Sequence, residues 1–210
     1  MSFFIPVIAH NMRGYDGHLI VKGYERHASL DSDVNVIPSN TEKFVAFQIG
    51  MLRFLDSFQF LGASLDKLVS TLPADSFKFT SKFSPRPDMA KRKGYYPYEF
   101  MTDRSKFDET HLPSKEMFYS ALNETQITDD EYKMAKDAWT AFRCTTMRDY
   151  HDAYLLTDTL LLADTFENFR TVNVNNYSLD PAHFYTTPGL SFQACLKMTN
   201  AKLDLFSFYF

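Results

Sequence analysis

Residues 3–20 have the sequence FFIPVIAHNMRGYDGHLI. The run from Phe3 to Ala9 is apolar with β-branched members, which is typical of a buried central strand. The polar residues and glycine that follow predict a turn, and Asp16 is a suitable N-cap for an amphipathic helix. This strand, turn and helix indicate an α/β fold. Its polar side chains follow the carboxyl end of a strand, where ligands bind in such sheets.

The rest of the chain continues the α/β pattern. Extended patterns predict strands at 34–37, 43–49 and 51–56, with Gly50 allowing a tight turn between the last two. Helical spacing or helix-start signals predict helices at 65–72, 113–122, 128–142, 147–169 and 190–198. Thr128 and Glu131 form a capping box at the start of the third of these. We therefore expect a mixed sheet with helices.

Composition limits the possible functions. The chain has 210 residues, of which 45% are apolar and 23% charged, as in a globular protein with a core. Its net charge is −4, which argues against a domain that wraps duplex DNA. A metal-dependent nuclease escapes this objection, because its site must be acidic and its cations offset the phosphate.

The cysteines and the hydropathy pattern bear on location. Cys144 and Cys195 lie far apart and form no CxxC pair, so we expect two buried thiols in a reducing, intracellular compartment. The sequence has no run of about 18 apolar residues, so we expect no membrane span. The sequence does not specify the compartment further.

The first candidate site is the segment from His10 to Asp16. It delivers the amide of Asn11 and the carboxylate of Asp16 together at a strand–helix junction. A carboxylate there can bind a divalent metal, and an amide can hold a nucleotide oxygen or base edge. From these residues alone, the alternative is that both side chains only cap a turn and a helix.

The second candidate site is the sequence YLLTD at 154–158. Tyr154 and Asp158 are four residues apart and share one face of the predicted helix, next to Leu161 and Leu162. A carboxylate buried beside apolar side chains is costly unless it is paired or binds a metal. The alternative is an exposed aspartate paired with a lysine or arginine.

Together the two segments resemble the second and third exonuclease motifs of family B DNA polymerases, Asn-x2-3-(Phe/Tyr)-Asp and Tyr-x3-Asp. Further phrases resemble the protein-primed subgroup of viruses, linear plasmids and transposons, and most of all its transposon-type members. These phrases are LRFLDSFQFLGASLDKLVSTL at 52–72, KGYYPYEFM at 93–101, LPSKEMFYS at 112–120, YHDAYLLTDTLLLADTFENFR at 150–170 and LDPAHFYTTPGLSFQACLKMT at 179–199. The resemblance covers nearly the whole chain, with its motifs in the expected order.

The resemblance implies a ribonuclease H-like 3′–5′ exonuclease domain that uses two divalent metal ions, Mg²⁺ or Mn²⁺. Asp16 and Asp158 would be metal-linked carboxylates. Tyr154 would orient the attacking water. Asn11, with His10 beside it, would hold the frayed single-stranded 3′ end of the primer.

Two further family motifs are placed by position. A Ser/Thr-Leu-x2-hydrophobic motif that contacts single-stranded DNA falls on Ser57, with Phe58 in place of the usual leucine. Ser64 fits the letters better but is expected inside the next helix. A Lys-x2-hydrophobic motif falls on Lys93, whose charge could neutralise the scissile phosphate. In each case ordinary loop or packing residues are the alternative.

The sequence departs from the family in two respects. The first exonuclease motif, Asp-x-Glu, and the polymerase motifs are missing; Asp129-x-Glu131 has the letters but is expected at a helix start. We therefore expect an N-terminally truncated exonuclease domain over 1–172 and the start of the polymerase domain over 173–210. The apolar end LDLFSFYF suggests a second truncation. The metal site would be incomplete and the fragment inactive alone.

Two functions follow. The first is a piece of a DNA-directed DNA polymerase with proofreading, whose parent would bind DNA, deoxynucleoside triphosphates and a terminal protein that acts as primer. The second is a non-catalytic remnant of the exonuclease fold that binds nucleic acid or protein. Retention of Asn11, Asp16, Tyr154 and Asp158 favours the first. The absent Asp-x-Glu motif and the acidic net charge favour the second.

Overall fold

A computed structural model describes residues 3–27, 34–40 and 43–203. Within these ranges the chain forms four strands and seven α-helices joined by short 3₁₀ turns. The strands are β1 (Ile5–Ala9), β2 (Val34–Asn40), β3 (Lys43–Ile49) and β4 (Leu52–Asp56). The helices are α1 (Asp16–His27), α2 (Leu65–Ser70), α3 (Lys78–Phe83), α4 (Pro87–Ala90), α5 (Asp129–Ala141), α6 (Met147–Tyr177) and α7 (Thr187–Thr199).

The chain divides into two compact units. The first comprises residues 1–63 and 166–210, and the second comprises residues 64–165. Helix α6 contributes residues to both. The predicted boundary between an exonuclease and a polymerase domain after residue 172 stays a prediction. The predicted apolar end from residue 204 onward lies outside the described residues.

The first unit is built on a mixed four-stranded sheet. The strand order is β1-β4-β3-β2, with β1 and β4 parallel and the other pairs antiparallel. Gly50 makes the turn between β3 and β4 with φ +56°, a left-handed conformation that glycine adopts without strain. The predicted α/β fold with a mixed sheet is confirmed, and this order is consistent with a ribonuclease H-like exonuclease domain.

Apolar side chains cover both faces of the sheet, because successive residues of a strand point to opposite sides. On one face Met12, Phe47 and Phe54 form a buried cluster, and the Phe47 and Phe54 rings stack with centroids 4.5 Å apart. On the other face a second cluster contains Phe60 and Phe166. The ends of the strands, and the loops that follow them, are thereby fixed.

The predicted place of β1 was wrong. Among the described strands β1 is an edge strand that pairs only with β4, and Ile5 is 44% exposed. Its apolar run resembles that of a strand with neighbours on both sides. Sequence alone does not give the neighbours of a strand, which depend on the rest of the sheet. Cys195 was also placed wrongly: it is exposed on α7, whereas Cys144 is buried as predicted.

The second unit is helical. The predicted capping box is confirmed at the start of α5, and the long predicted helix is α6, which continues to Tyr177. The predicted helix at 113–122 was wrong: the segment has one 3₁₀ turn, Lys115–Phe118, followed by a bridge between Ser120 and Thr125. Burial of Phe118 against Tyr132 overrides the local helical pattern.

Within residues 3–27, 34–40 and 43–203, no helix is both long enough and apolar enough to cross a bilayer.

Candidate exonuclease site

The first group of predicted residues follows the carboxyl ends of β1 and β4. These strands are parallel, with Ala9 opposite Asp56, so the residues after each strand emerge at the same edge of the sheet. His10 and Asn11 follow β1, and Ser57 and Phe58 follow β4. The fold therefore brings His10 and Asn11 next to Ser57 and Phe58, although His10 and Ser57 are 47 positions apart in the sequence.

Hydrogen bonds connect the two loops. Ser57 Oγ lies 2.9 Å from His10 Nδ1 and 3.0 Å from the Ala9 carbonyl oxygen, to which it donates. His10 Nε2 lies 2.9 Å from the carbonyl oxygen of Ala63. The His10 and Phe58 rings also pack edge to face, with centroids 5.4 Å apart and an interplanar angle of 65°. Ser57 and His10 thus act in the structure as links, while the Phe58 ring is 37% exposed at the surface.

Asn11 and Asp16 are both exposed, Asn11 in the loop after β1 and Asp16 at the start of α1. Asn11 is exposed, has φ 60° and ψ 31°, and its side chain makes no capping bond to the 3₁₀ turn that follows. The alternative that Asn11 caps this turn is thus not supported. Asp16 is exposed in the first turn of α1, and Tyr15 beside it is 69% exposed. The segment from Asn11 to Asp16 offers an amide, a carboxylate and a ring to solvent.

Sequence reasoning missed Asp56, which is fully buried at the end of β4. Its Oδ1 accepts hydrogen bonds from the backbone N–H of Asn11 at 2.8 Å and of Phe58 at 3.0 Å. Its Oδ2 accepts from the backbone N–H of Arg13 at 3.2 Å. An aspartate that ends an apolar strand just before a candidate DNA-binding motif was the available signal.

The second group of predicted residues lies on α6 and on the segment that packs against it. Tyr154 and Asp158 are one turn apart on the helix. The backbone at Gly94 approaches the Tyr154 ring so closely that a Cβ there would meet Cδ2 at 3.2 Å. Lys93 immediately precedes this contact. The structure thus brings Lys93, Tyr154 and Asp158 into one neighbourhood within the second unit.

Three hydrogen bonds made by tyrosine hydroxyls fix the segment from Tyr95 to Tyr98 on α6. The buried Tyr150 hydroxyl donates to the Tyr95 carbonyl oxygen at 2.6 Å, and the Tyr96 hydroxyl lies 2.8 Å from His151 Nδ1. The Tyr98 and Tyr154 hydroxyls are 2.8 Å apart. Sequence reasoning missed Tyr98. Its partner lies 56 residues away, so no local spacing could have revealed the contact.

The electrostatics of this group centre on Asp158. Burial raises the pKa of its carboxyl, and the Lys93 ammonium and the Tyr154 hydroxyl lower it in part. Asp158 Oδ1 is buried without a hydrogen-bond partner. Burial and the Tyr98 hydroxyl raise the pKa of Tyr154, so its hydroxyl stays protonated at neutral pH. The alternative of an exposed aspartate paired with a lysine or arginine is therefore not supported.

The two sequence segments with competing motif letters have structural roles. Ser64 is the N-cap of α2, where its hydroxyl accepts from the Lys67 N–H at 3.3 Å. Asp129 pairs with Lys115 and Glu131 closes the capping box of α5. Glu131, and Asp66 two residues after Ser64, nevertheless line the same cleft as Lys93 and Tyr154.

Over the described parts of the chain, no three His, Cys, Asp or Glu side chains are grouped closely enough to hold a metal ion. The buried Asp158 oxygen without a partner suits a cation, because an orphaned buried carboxylate oxygen is costly. Asp158 therefore fits as one ligand of a metal ion, but the described residues do not complete a two-metal site.

Comparison with known proteins identifies the family of the chain. The family model for DNA polymerase type B, organellar and viral, matches residues 5–207. No curated protein and no solved structure matches the chain. Since the family model spans nearly the whole sequence and both groups of candidate residues, the chain belongs to the organellar and viral type B DNA polymerases.

Proposed function

We propose that this chain contributes the 3′–5′ proofreading exonuclease segment of a DNA polymerase that replicates by protein priming. The observation that carries the proposal is Asp158, a largely buried carboxylate with one unpartnered oxygen next to Lys93 and Tyr154. A structural aspartate in such a place is normally saturated with hydrogen bonds. Asp158 instead has the character of a ligand.

The second unit has groups suited to phosphodiester hydrolysis. The Asp158 carboxylate would bind a divalent cation, which supplies Lewis-acid activation of water when bound. The Tyr154 hydroxyl, which stays protonated, can donate a hydrogen bond to the attacking water. The Lys93 ammonium, whose charge already acts on Asp158, can offset the charge of the scissile phosphate.

The first unit has groups suited to holding single-stranded DNA. The exposed Asn11 amide can bond to a base edge or a sugar oxygen, and the exposed Phe58 ring offers a face for stacking. Asp16 is the metal-linked carboxylate predicted for this unit. Family membership implies DNA and deoxynucleoside triphosphates as partners in general. A terminal protein as primer and a transposable element as source are parts of the proposal.

The first test is Mn²⁺ binding by calorimetry. The wild-type chain is compared with Asp158→Ala, Asp16→Ala and a matched control, Asp75→Ala, which removes an exposed carboxylate of the second unit. Binding that the first two variants weaken and the control preserves would support the proposal. Binding that is absent, or equal in all four proteins, would contradict a metal site in this chain.

The second candidate function is a non-catalytic module that binds single-stranded DNA. It is favoured by the lack of a group of three metal ligands within the described residues. The discriminating assay is release of nucleotides from a 3′-labelled oligonucleotide with Mn²⁺. Oligonucleotide binding that depends on Asn11 and Phe58, with no release that depends on Asp158, would favour the module.

A further inference from the structure

The carboxylate of Asp56 occupies the point at which two loops meet. Asp56 ends β4 and lies opposite Ala9 in the parallel register, so it sits beside the chain that continues into His10 and Asn11. Its side chain is fully buried. A buried carboxylate is costly unless hydrogen bonds compensate for the lost water.

Three backbone N–H groups provide this compensation. Two belong to the loop after β1, from Asn11 and Arg13, and one belongs to the loop after β4, from Phe58. Hydrogen bonds to a charged acceptor are roughly twice as strong as neutral ones. A single side chain therefore joins the backbone of both loops that carry the candidate DNA-binding residues.

The conformation of Asn11 explains what this connection does. Asn11 has φ 60°, in the left-handed region that disfavours side chains with a Cβ and is visited mainly by glycine, asparagine and aspartate. Asp56 accepts from the N–H of Asn11 itself and from that of Arg13, two residues further on, so it restrains the backbone before and after the Asn11 Cα. These two bonds fix the direction in which the Asn11 side chain leaves the loop.

We infer that Asp56 is a positioning residue, which acts through Asn11 to hold the amide in place for the 3′ end of single-stranded DNA. It contacts no substrate itself, because it is buried. The inference rests on the proposed function, since it takes Asn11 as a contact to DNA. It also predicts that a substitution of Asp56 weakens DNA binding only while the Asn11 amide is present.

The test is a double-mutant cycle on binding of a fluorescent oligo(dT) of about ten nucleotides. Asp56→Asn keeps the size and one acceptor oxygen, which can serve Asn11 and Phe58, but presents an NH₂ donor to the Arg13 N–H. Asn11→Gly removes the amide without strain at φ 60°, which alanine would add. Asp164→Asn is the matched control, because Asp164 is another buried aspartate that accepts from two backbone N–H groups.

We expect Asp56→Asn to weaken oligo(dT) binding about fivefold to tenfold in the wild-type chain, and by less than about twofold in the Asn11→Gly background. The control should leave the affinity unchanged. Equal weakening in both backgrounds, or none in either, would overturn the positioning role. If Asn11→Gly alone leaves binding unchanged, the DNA contact of Asn11 in the proposed function fails first, and the inference fails with it.

Amide hydrogen exchange tests the same geometry independently of DNA binding. The N–H groups of Asn11, Arg13 and Phe58 should be protected, and in Asp56→Asn the Arg13 N–H should exchange faster. Exchange of all three at the rate of free amides in the wild-type chain would refute the connection, even if Asp56→Asn fails to fold.

Discussion

Replacing Gly94 by alanine tests whether the segment after Lys93 is packed against Tyr154 as the structure has it. A Cβ at position 94 would lie 3.2 Å from Tyr154 Cδ2, closer than an ordinary contact, and 3.5 Å from Cε2. The ring has little freedom to move, because its hydroxyl is 2.8 Å from that of Tyr98. We therefore expect the substitution to displace the segment or the ring.

The magnitude follows from two opposing terms. Overpacking a well-filled site costs about 1–3 kcal/mol. Alanine also lowers the conformational entropy of the unfolded chain relative to glycine, and this stabilises the folded state by about 0.4–1 kcal/mol. The net destabilisation of Gly94→Ala is thus about 1 kcal/mol. Gly23→Ala is the control: Gly23 is inside α1 with nothing within 4 Å of its Cβ position, so alanine should stabilise by about 0.5–1 kcal/mol.

The assay is equilibrium unfolding in guanidinium chloride, followed by circular dichroism for both variants. Trp139, the one tryptophan of the sequence, lies in the second unit against Tyr150, so its fluorescence reports on the unit that holds Gly94. Opposite signs for the two substitutions would support the packing. A Gly94→Ala variant as stable as the wild-type chain, beside a stabilised Gly23→Ala variant, would refute the close approach of Gly94 to Tyr154.

Three further predictions concern carboxylates of the second unit. Because burial raises the folded pKa of Asp158, its ionisation opposes folding as the pH rises above the ordinary aspartate pKa of about 4, and fully above the raised folded pKa. Asp158→Asn should therefore raise the melting temperature at pH 7 and leave it unchanged below about pH 3; a lower melting temperature at pH 7 would contradict this. Asp164→Ala leaves two N–H groups at the start of α3 unpaired and should cost about 3 kcal/mol in denaturant unfolding; a loss below about 0.5 kcal/mol would contradict the bonds. The Thr145 hydroxyl and two backbone N–H groups lower the pKa of Asp149 to about 2. The stability that Asp149 contributes should be lost as the pH falls from about 4 to 2. When the melting temperature is measured against pH, Asp149→Asn should therefore reduce its fall between these pH values, and an unchanged fall would contradict the prediction.

Local signals predicted the elements of this fold well. The β1–turn–α1 order, the three strands after it, the capping box of α5 and most of α6 are each encoded within about twenty neighbouring residues. Errors arose where tertiary contacts decide. The segment 113–122 has apolar residues at helical spacing, yet burial of Phe118 against Tyr132 ends its helix after one 3₁₀ turn.

The candidate site was predictable in its residues but not in its supports. Motif letters pointed to Asn11, Asp16, Tyr154 and Asp158. The contacts that orient them join residues 43 to 56 positions apart, such as Arg13 with Asp56 and Tyr98 with Tyr154. Such pairs leave no periodic trace in one sequence. They appear only when the chain register and the packing of the helices are known.

The buried carboxylates of this chain differ in a way that separates support from function. Asp56 and Asp164 are almost fully buried, and each has both oxygens bonded to backbone N–H groups. Asp158 is less buried, yet its Oδ1 has no partner. If Asp158 only supported the fold, selection of a neutral or apolar side chain would remove a cost. A charge that opposes folding at neutral pH, beside a lysine and a protonated tyrosine, is expected of a residue that serves the chemistry proposed above.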